Sequence, residues 1–182
     1  WHMVDRADRW HAAVEIKSKD TNHLCEAITI AWIGIHGPFK FLVIDGERGM
    51  TSEIAKAYLA THGIQLKPRA PGQHAQIIER RGAILRHSMH LIEEQLVKEG
   101  ITISFARLLA EAVFAGNSLV SYGGATPYNS RFGRQPRMLP EIEAPPDTTI
   151  PGPARYTHRI REVSLQKIIE SSALARINRA LR

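Results

Sequence analysis

Phe39 to Ile44 (FKFLVI) is a short apolar run that stops at once in Asp45-Gly46-Glu47. Six residues are too few for a helix of ordinary length, and the aromatic and β-branched content suits a strand. A strand this apolar reads as a buried central one, which needs helices over its sheet. The flanking sequence supplies them. Asp20 is a candidate N-cap for a helix over residues 21–35, which Gly37-Pro38 ends. Thr51 or Ser52 can cap a second helix running to about His62, where Gly63 stops it. Ile64 to Lys67 reads as a further short strand, and Pro68 to Gly72 as a loop. Ahead of all these, Trp10 to Ile16 reads as a strand after a turn at Arg6 to Asp8. Residues 1–5 would form its antiparallel partner.

From Gln73 to about Glu99 the pattern is one long helix. Ile77, Ile84 and Leu91 recur every seven residues, as do Ile78, Leu85 and Ile92. Gly82 interrupts it at a small cost, and Gly100 ends it. Ser104 to Ala115, rich in Leu and Ala, is another helix. The expected division is a core over residues 1–120, a Gly- and Pro-rich linker or arm over 121–153, and a basic amphipathic helix over 154–182.

Charge separates the tail from the rest. The chain of 182 residues carries a net +6. Residues 154–182 hold seven Lys or Arg against two Glu, a net of +5, so the remainder is close to neutral. A basic chain suits a polyanion, nucleic acid being the commonest, although basic charge also serves solubility alone. The tail accordingly reads as a phosphate-tracking arm, a helix docking on another chain, or an amphipathic helix packed on its own core. Cys25 is the single cysteine, so no disulfide forms within the chain, and no Cys/His cluster has zinc-site spacing. No apolar run is long enough to span a bilayer and no signal-peptide pattern is seen, so the expected setting is soluble and intracellular, without a membrane partner.

Two carboxylates stand where chemistry is usual. Asp45 follows the carboxyl end of a strand, the position at which α/β sheets present functional residues. Glu79 lies near the start of the long helix, with thirty-three residues between the two. Alone, the pair reads rather as a turn-forming Asp-Gly and a solvated helix charge. The i, i+4, i+7 rule puts Ala83 and Arg86 on the face of Glu79, which makes Arg86 the leading candidate for a phosphate contact. Arg80 and Arg81 are candidates farther out, and Arg69 in the preceding loop is another. Such contacts fix position without reading sequence.

Several motifs in order carry a resemblance. Val43-Ile44-Asp45-Gly46-Glu47 resembles the fourth-strand motif of retroelement integrases, and His74-Ala75-Gln76-Ile77-Ile78-Glu79-Arg80 resembles their H-N-G-x-x-E-R helix motif. Asn117, Thr126-Pro127-Tyr128 and Gly133-Arg134-Gln135-Pro136 resemble the later signature. Asp5-Arg6-Ala7-Asp8-Arg9-Trp10 is similar to the second-strand segment. The match spans roughly residues 1–140, and its pattern resembles long-terminal-repeat retrotransposons more than retroviruses.

The resemblance implies a ribonuclease-H-like α/β fold, a mixed sheet flanked by helices, with the tail as a C-terminal helical extension. It implies a polynucleotidyl transferase that processes and joins DNA ends, using Mg²⁺ or Mn²⁺ held by carboxylates. Asp45 and Glu79 correspond to the second and third catalytic and metal-binding carboxylates. The family's first Asp lies on an earlier strand, so this chain is expected to begin after that strand and to be inactive alone. Asp5 or Asp8 as a substitute is the lesser expectation. His74 matches a family position that could contact phosphate. Ala75 and Gln76 depart from the pattern's Asn and Gly. Implied partners are element-end and target DNA and further copies of the chain, in a nuclear or cytoplasmic particle. A related nuclease or transposase, and a domesticated DNA-binding or interaction fragment without catalysis, stand as alternatives.

Overall fold

The computed structural model describes residues 1–44, 48–69, 76–139 and 156–181. The chain divides into two units, Trp1–Met3 with Ala12–Glu79, and Val4–His11 with Arg80–Arg182. The expected α/β class holds: two small sheets are flanked by helices, and a helical extension closes the chain.

The first sheet pairs β1 (His2–Val4) with β2 (His11–Ala13). Trp1 and Val14 exchange both backbone hydrogen bonds, at 3.0 and 2.9 Å, and Asp5 N–H donates to Trp10 C=O at 2.9 Å, so the pair is an antiparallel hairpin. Arg9 takes φ 64° in its turn, an uncommon conformation for a non-glycine residue. The Asp8 carboxylate steadies the turn by accepting from Trp10 N–H at 2.8 Å.

In the first unit, α1 (Thr21–Ile28) begins at Asp20, whose carboxylate accepts from His23 N–H at 3.0 Å. The helix then widens into a π-helical segment (Thr29–Ile33) before closing with α2 (Gly34–His36). The regular helix expected over 21–35 is therefore interrupted. Thr29 sits at the change, its hydroxyl donating back to Cys25 C=O at 3.0 Å and meeting the Tyr58 hydroxyl. Strand β3 (Phe41–Ile44) runs parallel to β4 (Gln65–Pro68), with Phe41 opposite Gln65 and Val43 opposite Lys67. The strand is not buried on both faces as its composition suggested. Leu42 and Ile44 face inward, while Phe41 and Val43 are exposed. Between the strands lie α3 (Arg48–Thr51), which the sequence did not suggest, and α4 (Glu53–Thr61). Ser52 caps α4, accepting from Ala55 N–H at 3.2 Å. Gly49 lets α3 approach α1: a Cβ there would lie 2.6 Å from Lys19 C=O and 2.7 Å from a Leu24 methyl.

The second unit is mainly helical. α5 (Gln76–Lys98) contributes all but its first turn, followed by α6 (Phe105–Leu119), α7 (Pro127–Phe132) and α8 (Thr157–Ala180). α6 runs one turn beyond its expected end. α7 lies inside the segment read as linker, capped by Thr126 with Pro127 in its first turn. α8 packs on α6 through Leu165 and Ile168 against Ala115 and Val120. Its Arg161 ion-pairs with Glu111 and lies 4.0 Å from the centre of the Phe114 ring. Arg159 forks onto Glu99 at 2.7 and 2.6 Å, and the Ser88 and Ser171 hydroxyls bond at 3.0 Å. No helix among the described residues is long and apolar enough to cross a membrane.

Candidate active site

The β3–β4 ladder continues past both strand ends. Gln65 N–H donates to Lys40 C=O, and Arg69 N–H to Ile44 C=O, each at 3.0 Å. Arg69 is thus hydrogen-bonded to the residue that precedes Asp45. One Arg69 guanidinium nitrogen is buried without a hydrogen-bond partner. Asp45 itself, with Gly46 and Glu47, lies outside the described residues, as does His74.

Glu79 is exposed in the first turn of α5, where the helix dipole favours a carboxylate. Ala83 and Arg86 are exposed on the same side, and Arg80 is exposed beside them. Helical periodicity explains this open face, because the inward stripe is Arg81, Leu85, Ser88, Ile92 and Leu96. Of the two heptad sets, Ile78, Leu85 and Ile92 therefore lies nearer the core, whereas Ile77 is exposed. Among the described residues no group of three or more His, Cys, Asp or Glu side chains gathers as a metal site.

Arg81 differs from the expected phosphate contact. It is only 3% exposed, and its guanidinium donates to the Tyr122 hydroxyl at 3.0 Å and to Asn117 Oδ1 at 2.9 Å. Burial pulls its pKa below the ordinary arginine value, partly opposed by Tyr122. Asn117 in turn clamps His11, accepting from its N–H at 3.0 Å and donating to its C=O at 2.8 Å. This polar node was missed in the sequence. The available signals were an Arg on the stripe of Leu85 and Ile92, and an Asn inside an apolar helix.

Asp5 and Asp8 are also committed to structure. Both accept from Arg131, at 3.0 and 2.6 Å, and Trp10 packs against Tyr128 and Phe132 with ring centres 5.8 and 5.4 Å away. The second-strand motif and the Thr126-Pro127-Tyr128 motif thus meet in one aromatic and ionic cluster within the second unit.

No protein-family model matches the chain, and no curated protein sequence matches it. Solved structures do. A chain of the simian T-cell lymphotropic virus intasome, determined in complex with PP2A regulatory subunit B56 gamma, matches with TM-score 0.63 and 19% identity. The match covers 82% of this chain and 53% of that one, so the chain spans about half of that relative's length. The HTLV-2 integrase catalytic core domain in complex with magnesium matches with TM-score 0.57 and 16% identity, over 69% of this chain and 78% of that one. The BIV integrase catalytic core domain gives TM-score 0.59 and 17% identity, over 71% and 82%. At these identities the likeness is one of fold: the chain has the architecture of retroviral integrase catalytic cores.

Proposed function

We propose that the chain is the core of a retroelement integrase, of the long-terminal-repeat retrotransposon kind, with Asp45 and Glu79 as catalytic carboxylates. The observation that carries this reading is the open face of α5. Glu79 stands exposed at its start with Arg86 on the same side, while β3 ends at the residue before Asp45, in a chain folded like integrase cores. Carboxylate oxygens are hard donors suited to Mg²⁺ or Mn²⁺, and Glu79 is accessible to such an ion. When bound, divalent metal would activate the attacking oxygen and stabilise the leaving one. Arg86 and Arg80, exposed on the helix that carries Glu79, are the leading candidates for DNA phosphate contacts, and Arg69 and His74 are the further candidates. Arg81 drops out of that set because its guanidinium is buried.

Mn²⁺ titration of the chain tests the carboxylates directly. Binding should weaken at least tenfold in Asp45→Asn and again in Glu79→Gln, with melting curves unchanged. Equal Mn²⁺ affinity in parent and both variants would refute the assignment. A second reading, a DNA-binding segment without catalysis, draws support from Gln76, which opens α5 where the family pattern has Gly. DNA binding that persists without any metal affinity would select it.

A further inference from the structure

The outer face of the β3–β4 sheet has no part in the proposed chemistry, yet its composition is unusual. Parallel register places Phe41 beside Gln65 and Val43 beside Lys67, all on the exposed side. Phe41 is 41% exposed. The Lys67 ammonium lies 3.6 Å from its ring centre, and the Lys40 ammonium 5.3 Å. Two cations therefore gather at one aromatic ring. Neither is ion-paired among the described residues, and neither strand contains an acid. The cation–π contacts hold both ammonium groups at the ring without neutralising their charge, so the face is electrostatically suited to an anion.

The geometry points to this face as a binding surface for single-stranded DNA. A duplex offers phosphates and base edges but keeps its base faces stacked, so it presents nothing for an exposed ring to stack on. A single strand offers both phosphates and free base faces, matching lysines interleaved with an aromatic. Val43 and the Phe41 ring provide the apolar platform once the Lys67 ammonium swings from the ring to a phosphate, and Lys40 neutralises the backbone alongside. The inference rests on the polynucleotide reading above but needs no metal and no catalysis.

Fluorescence anisotropy of a labelled oligothymidylate with the full chain, in EDTA and over a salt series, tests it. Tighter binding of the oligothymidylate than of a duplex of equal length is expected. Lys67→Ala and Lys40→Ala should each flatten the plot of log K against log salt by about 0.7. Phe41→Ala should weaken binding roughly tenfold with an unchanged slope, and Phe41→Trp should restore it. Absence of oligothymidylate binding, parental affinity in Phe41→Ala, or equal binding of poly-glutamate would each overturn the proposal. If Phe41→Ala fails to fold, the two lysine slopes decide. Because metal is excluded, loss of Mn²⁺ binding in the carboxylate variants leaves this result unaffected, so the two readings fail separately.

Discussion

Replacing Asn117 with Ala removes three buried hydrogen bonds at once, one from the Arg81 guanidinium and two with the N–H and C=O of His11. Each buried polar group left unsatisfied costs about 1–3 kcal/mol. Urea denaturation of Asn117→Ala should therefore show a loss of roughly 3 kcal/mol or more, whereas Arg86→Ala, on the exposed face, should stay within about 0.5 kcal/mol. At this scale the sequence was readable where a residue's exposure follows from helical phase. Glu79, Ala83 and Arg86 share an open face because 3.6-residue periodicity leaves little choice. Arg81 was misread because charge was weighed above phase. Two residues beyond Glu79, it falls on the stripe of Leu85 and Ile92, and its burial depends on Asn117 and Tyr122, which lie 36 and 41 residues away. Pairings at that separation leave no periodic trace.

Helix starts were legible at Asp20, Ser52 and Ser104, whereas the Thr126 cap of α7 went unread inside a Gly- and Pro-rich segment. Ser104 opens α6, its hydroxyl accepting from Arg107 N–H at 3.3 Å, and Asp20 and Ser52 act likewise for α1 and α4. Ser104→Ala should lower thermal stability by about 1 kcal/mol, and Ser104→Asp should recover most of it, as differential scanning calorimetry would show. The π-helical segment was not legible. Its sequence, Thr29-Ile-Ala-Trp-Ile33, is compatible with an ordinary helix, and the widening accompanies a hydroxyl contact from Thr29 to Tyr58 of another helix. Strand β3 was located from its apolar content, but its cover was not. Alternation puts Leu42 and Ile44 inside and leaves Phe41 and Val43 out, a division that a uniformly apolar run conceals.

Across the second unit, ion pairs tie the tail helix to earlier elements, Arg161 to Glu111 and Arg159 to Glu99. Hydrogen bonds from Arg159 and then Gln95 hold the Glu99 carboxyl at about 2, below its ordinary value. A carboxylate whose pKa falls on folding adds stability above its unfolded pKa and loses it as pH drops through the folded one. The melting-temperature gap between the parent and Glu99→Gln should hold steady above about pH 4.5 and close toward pH 2. The basic tail is thus partly spent on internal contacts, which net charge alone could not reveal. The hairpin turn has a different consequence, one of timing. Asp5 and its partner Arg131 are 126 residues apart. At synthesis rates of about 5–20 residues per second, Asp5 is made roughly 6–25 s before Arg131. Residues 4–11 belong to the second unit but are translated before residues 12–79 of the first, so the second unit is completed only after the first has been made. Trp10 must spend that interval without Tyr128 and Phe132, so the hairpin acquires its aromatic cover only late in synthesis.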